Sequence, residues 1–162
     1  MLSLVKNLCG EHFDEYVSAC FNIADTFSLT KNGWSTAQES LESERVLKIL
    51  APYHICTINT VRWFCQSVPP GHEKEVYLFR ATEASKKILL SMYRSIFYDD
   101  SVWMTPEDLC FFKNRKLVSG SLTHERICFV YDYESLFTKR ITLQNAWDVI
   151  PLNQNEQIDL PE

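Results

Sequence analysis

The sequence predicts an α+β domain: an antiparallel sheet with a C-terminal β-meander, packed by N-terminal and central amphipathic helices. Three observations carry this. Between Asp108 and Asp132, the apolar runs Leu109–Phe112, Leu117–Leu122 and Ile127–Tyr131 are rich in aromatic and β-branched residues. They are separated by breaks at Asn114 and at Thr123-His124-Glu125, and connections this short force antiparallel neighbours. From Glu11 to Phe27, the residues Phe13, Tyr16, Val17, Cys20, Phe21, Ala24 and Phe27 recur at helical spacing, with Glu11, Glu15, Ser18, Asn22 and Asp25 opposite. A second stripe, Ile88, Leu89, Met92, Tyr93 and Ile96, marks a helix capped by Thr82 and running to Phe97. Both stripes need a sheet to cover them.

In chain order, Lys31-Asn32-Gly33 ends the first helix, and Ser35 with Gln38 forms a capping box opening a second through Leu41, Val46, Leu47 and Leu50. Pro52 stops it. The segment Ile55–Cys65 reads two ways: β-branching at Cys56–Val61 favours a strand, whereas Val61–Cys65 also suits a short helix; the strand is preferred. Val68-Pro69-Pro70-Gly71-His72 is a loop inside one domain, followed by a strand at Val76–Phe79. In the Thr82 helix, Lys87, Ser91 and Arg94 face water. Asp99-Asp100-Ser101 breaks that helix and Thr105-Pro106-Glu107 leads into the meander. Tyr133–Arg140 reads as a short helix and Trp147–Leu152 as an extended piece. Residues 1–152 thus form one domain, and 153–162, polar and without periodicity, a flexible tail.

The meander strands are apolar on successive residues, which requires cover on both sheet faces. Ser119, Ser121 and Thr123 are the exception, sharing one side around Gly120. Either that side is the wet face of an edge strand, or a ligand or another chain approaches closely there.

At 162 residues, 46% hydrophobic and 23% charged, the chain is long and apolar enough to fold as one globular domain without staples. Its net charge of −5 disfavours nucleic acid and anionic membrane and suits a basic partner. The N-terminus lacks the pattern of a secretory signal and no run is long enough to span a membrane, so a cytoplasmic protein is expected. The six cysteines fall singly inside apolar runs. They read as reduced, buried thiols.

No motif assembles a catalytic site, and no cofactor is implied. His124-Glu125 is the one adjacent acid–base pair, but it lies at a turn tip with no nucleophile placed beside it. His12, His54, His72 and His124 have none of the spacings of a metal site. Cys65 and Cys128 have apolar neighbours, which disfavours a reactive thiolate. Four isolated glycines form no phosphate cradle. Trp34 and Trp103 fall in predicted loops, as core lids or as partner anchors. Around Trp103 stand Asp99, Asp100, Glu107 and Asp108. An aromatic anchor rimmed by carboxylates is how a protein binds a basic surface, and these five residues are the candidate partner site.

In size, acidity, N-terminal helices and the late meander DLCFFKNRKLVSGSLTHERICFVY followed by Trp147, the chain resembles the small immunity proteins that bacteria make against polymorphic or contact-dependent toxins. The resemblance implies a non-enzymatic inhibitor that occludes the active cleft of a cationic toxin. The alternative is an enzyme or small-ligand binder with a site assembled from distant residues, Cys65, His124 and Glu125 being the first suspects. A pocket holding a histidine with a thiol or carboxylate in reach favours the alternative; a convex acidic patch favours the inhibitor.

Overall fold

A computed structural model describes residues 1–33, 35–98, 105–131, 145–152 and 158–161. Trp34, Asp99, Asp100, Trp103 and the expected helix at Tyr133–Arg140 lie outside the described residues. The elements are β1 (Leu2–Leu4), α1 (Glu11–Phe21), β2 (Thr26–Lys31), α2 (Ala37–Leu50), β3 (His54–Thr60), β4 (Arg62–Trp63), β5 (Gln66–Ser67), β6 (Lys74–Arg80), α3 (Glu83–Met92), β7 (Glu107–Lys113), β8 (Lys116–Leu122), β9 (Ile127–Val130) and β10 (Trp147–Val149). Eight strands form one antiparallel sheet in the order β10-β1-β9-β8-β7-β2-β6-β3, and β4 pairs with β5 in a separate hairpin. This is the expected α+β class.

The meander is β7-β8-β9, as expected. Asn114 and Arg115 at its first turn both have positive φ, 48° and 70°, the backbone that a two-residue hairpin needs to match strand twist. Ile55–Cys65 resolves as a strand, with β3 followed by the start of the small hairpin.

The expected helix Glu11–Phe27 is corrected. α1 ends at Phe21, and Thr26–Lys31 is a central strand between β6 and β7. The sequence Thr-Phe-Ser-Leu-Thr-Lys alternates with period two: Phe27 and Leu29 enter the helix-side core while Ser28 and Thr30, also buried, alternate with them along the strand. Phe27 satisfies both periods, which is why the helical pattern overruns. The helix expected through Phe97 also stops early, at Met92. Tyr93 is extended, its hydroxyl donates to the Pro106 carbonyl (2.6 Å), and Ser95 bridges to Cys9. The second helix is capped one residue later than expected. Thr36 Oγ1 accepts from the Glu39 N–H (3.2 Å) and Glu39 Oε2 accepts from the Thr36 N–H (2.6 Å), while Ser35 donates to the Asn32 carbonyl.

Both sheet faces are covered. On one, Phe13, Tyr16, Val17 and Cys20 of α1 and Leu89 of α3 pack with Phe27, Leu29, Phe79 and Phe111. On the other, Trp63 and Phe64 of the hairpin and Leu160 pack with Val76, Leu78, Cys110, Phe112 and Leu122. Each fully buried aromatic or aliphatic side chain contributes roughly 1.5–3 kcal/mol. Leu160 departs from the expected free tail: its N–H donates to the Arg115 carbonyl (2.9 Å), and its own carbonyl receives the Arg115 guanidinium at 3.1 and 2.7 Å.

The hydroxyls of the meander are buried and hydrogen-bonded within the protein, not on a wet edge. Ser119 donates to the Phe129 carbonyl (2.8 Å) and accepts from the Tyr16 hydroxyl (2.6 Å), Ser121 donates to the Leu109 carbonyl (3.0 Å), and all three hydroxyl residues are buried. The group that approaches Gly120 is the ring of Phe64, 3.0 Å from where a Cβ would sit. No disulfide joins any of the six cysteines. Cys20, Cys110 and Cys128 are buried, which pushes their thiols up, Cys128 to about 12. Cys9 and Cys56 are exposed, against expectation.

Candidate functional site

One irregularity in the central sheet builds the site. Ser28 pairs with Cys110 and Thr30 with Glu107, so Leu29 alone faces both Asp108 and Leu109. This is a β-bulge, and Asp108 takes a φ of 56° at it. In a regular strand, successive side chains point to opposite faces; a bulge re-aims one of them. Here the carboxylates of Glu107 and Asp108 converge, and one oxygen of each lies with a His124 ring nitrogen in a group whose members are all within 4.8 Å of one another.

Asp108 is turned inward. Its Oδ2 accepts from Lys74 Nζ at 3.2 Å, its Oδ1 accepts from the Thr123 N–H at 2.8 Å, and its own N–H donates to Thr123 Oγ1 at 3.1 Å. Both charged side chains are 1% exposed. A buried ion pair of this kind survives only when its remaining hydrogen-bonding capacity is met, which Thr123 at the end of β8 supplies. The three protein ligands Glu107, Asp108 and His124 match a divalent ion in donor type. The ammonium of Lys74, 3.2 Å from Asp108 Oδ2, already sets a positive charge against that carboxylate.

Glu107 faces the opening. Oε2 accepts from the Tyr98 hydroxyl and Oε1 lies 3.6 Å from His124 Nδ1. Burial, then the Asp108 charge, push its carboxyl from an ordinary 4.5 up to about 7, against the lowering pull of Tyr98 and Lys74. Burial and the Glu107 charge raise the Tyr98 hydroxyl well above its usual range. His124 Nε2 lies 3.2 Å from Gln66 Nε2 of the hairpin and 3.8 Å from Glu125. With the amide donating, Nε2 accepts and the ring proton sits on Nδ1, toward Glu107.

These groups border a cleft of about 230 Å³ lined by Asn32, Ser35, Glu39, Gln66, Tyr98, Thr105, Glu107 and His124. No lysine or arginine is among these residues, and Gln66 Oε1 is buried with no hydrogen-bond partner among the described residues. A second cleft of about 220 Å³ shares Asn32 and Ser35 and continues past Lys31, Glu73 and Glu75.

Of the five residues expected to bind a partner, Glu107 lines the cleft and Asp108 supports it from beneath. Both are buried rather than part of an exposed rim. Asp99, Asp100 and Trp103 belong to the sequence that joins Tyr98 to Thr105, two residues of the cleft wall. Of the alternative suspects, His124 lines the cleft; Cys65 packs against the hairpin-side core and Glu125 reaches the outer side of His124. Sequence reasoning missed Lys74, Tyr98, Gln66 and Glu39. The first three come together only through the tertiary fold, and Glu39 reads in sequence as an ordinary first-turn acid.

Comparison with protein-family models, curated proteins and solved structures finds no match to this chain. Among the described residues, no helix is long and apolar enough to cross a membrane.

Proposed function

We propose that the protein acts by binding, and that its cleft is a socket for a positively charged side chain of a basic protein partner. The lining supports this reading: the two carboxylates of Glu39 and Glu107, and no lysine or arginine among the lining residues. A guanidinium would bring positive charge to the two carboxylates beyond the neutral donors that already face them, and Glu107 paired with it would ionise at neutral pH. Size argues the same way. At about 230 Å³ the cleft falls below the ~300–1,000 Å³ of sites that enclose drug-sized ligands. It suits one side chain at the centre of an interface better than a free substrate. A role like that of the immunity proteins this chain resembles, neutralising a cationic toxin in the bacterial cytoplasm, is consistent with the acidic net charge. Asp99, Asp100 and Trp103 are proposed to contribute to the same partner contact.

The test is titration with a short arginine-containing peptide against its neutral citrulline counterpart, followed by backbone NMR. The arginine peptide should shift residues of the cleft wall, and the effect should weaken with salt and vanish in Glu107→Gln. Equal responses to both peptides would refute the reading.

The proton affinity of Glu107 favours one second reading, general acid–base catalysis with Glu107 as the proton carrier and His124 as its partner, since a pKa near 7 suits proton transfer at neutral pH. A turnover abolished in a folded Glu107→Gln protein, with no response to the arginine peptide, would favour it.

A further inference from the structure

We propose that two copies of this chain pair edge to edge through β3, fusing their sheets into one continuous antiparallel sheet. This surface is separate from the cleft and does not depend on its function. β3 is the outermost strand of the sheet, bonded on one side to β6 and, among the described residues, to no strand on the other. Alternate residues of such a strand present their N–H and C=O groups outward, a template for another strand. Proteins that stay monomeric blunt long edges with lysine, proline, inward charges or very short strands. The seven residues His-Ile-Cys-Thr-Ile-Asn-Thr of β3 contain no lysine, arginine, acid or proline. Ile55 is 47% exposed, and Cys56 and Thr57 are exposed beside it.

The edge itself selects a second copy as the occupant. The opposite edge of the sheet, β10, is three residues long with Asp148 at its centre, too short and too charged to satisfy β3 in a head-to-tail stack. A strand of equal length without lysine, arginine or acid is available on another β3, and a two-fold pairing uses both β3 edges, leaving only the short β10 edges outside. Two chains of net charge −5 also meet there along an uncharged seam. The register of β3 against β6 shifts between His54 and Cys56, so the regular part is Cys56–Thr60. A two-fold axis at Ile58 uses all of it, setting Ile58 against Ile58, Thr57 against Asn59 and Cys56 against Thr60 of the other copy.

Sedimentation velocity on the full chain from micromolar to millimolar concentration should show the mass doubling and stopping there. Amide exchange at residues 56–60 should slow as the dimer fills. A Thr57→Lys/Asn59→Lys double variant places like charges opposite each other across the seam and should stay at the monomer mass, with its melting temperature at low concentration unchanged. A wild-type chain that remains monomeric throughout overturns the proposal and leaves the edge to a strand of another protein. So does a dimer whose β3 amides exchange as fast as those of the monomer, a result independent of whether the variant folds.

Discussion

Replacing Lys74 with methionine tests whether the bulge at Asp108 is held by charge. The substitution keeps the length and apolar stem of the side chain but leaves the Asp108 carboxylate, 1% exposed, with only the Thr123 N–H. Removing one partner of a buried pair costs roughly 3–5 kcal/mol, because the other charge stays desolvated. At this chain length each kcal/mol lowers the melting temperature by about 2–4 °C, so Lys74→Met should lose roughly 6–20 °C. Asp108→Asn should lose a similar amount by stranding the ammonium. The double variant Lys74→Met/Asp108→Asn should recover part of the loss, leaving a coupling of about 1–3 kcal/mol in a double-mutant cycle. Urea melts of the four proteins give the numbers. Additive single losses, or a Lys74→Met loss below about 1 kcal/mol, would refute the view that this pair organises the site.

Three further outcomes follow from the same geometry. The folded-state pKa of Glu107 is raised, so folding binds its proton. The stability this contributes is fully present below pH 4.5 and is lost as pH rises through about 7. The group alone accounts for about 3 kcal/mol of that slope, and Glu107→Gln should flatten the dependence of the urea midpoint between those limits. Gly120→Ala drives a methyl to 3.0 Å from the Phe64 ring and should cost about 1–3 kcal/mol by overpacking, measurable as a lower urea midpoint; an unchanged midpoint would mean that the hairpin yields freely. Leu160→Ala should cost about 2 kcal/mol and expose the Arg115 turn to faster amide exchange, whereas a neutral effect would show that the C-terminal residues only rest on the hairpin-side core.

The meander was legible because its three strands and two turns signal locally: aromatic and β-branched runs, then Asn114 and Thr123 at the breaks. The helix cores of α1 and α3 were legible for the same reason. β2 was not, because Phe27 extends the helical stripe of α1 by chance and nothing local announces that Thr26–Lys31 will lie at the sheet centre. Leu160 was hidden by its polar approach, Asn153–Gln157. At the site, His124 and Glu107 stood out in sequence, though in different roles: His124 as a turn-tip acid–base residue, Glu107 as part of a solvated acidic rim. Their convergence depends on a bulge of one residue, which has no sequence signature when the left-handed position is an aspartate rather than a glycine. Lys74, between Glu73 and Glu75, reads as a solvated charge. Only the tertiary pairing of β6 with β2, and β2 with β7, buries it against Asp108.

Glu107 is the proposed acceptor for a cationic group entering the cleft. The most direct measurement is the NMR titration of the Glu107 side-chain carboxyl carbon, with and without a saturating arginine peptide. Alone, its midpoint should fall at about pH 7. With the peptide bound, a guanidinium beside the carboxylate should carry the midpoint downward by a unit or more, ~1–3 units being usual for such a pair. A midpoint that stays in place while the peptide binds elsewhere, or one that lies at the ordinary value of 4.5 in the free protein, would contradict the account.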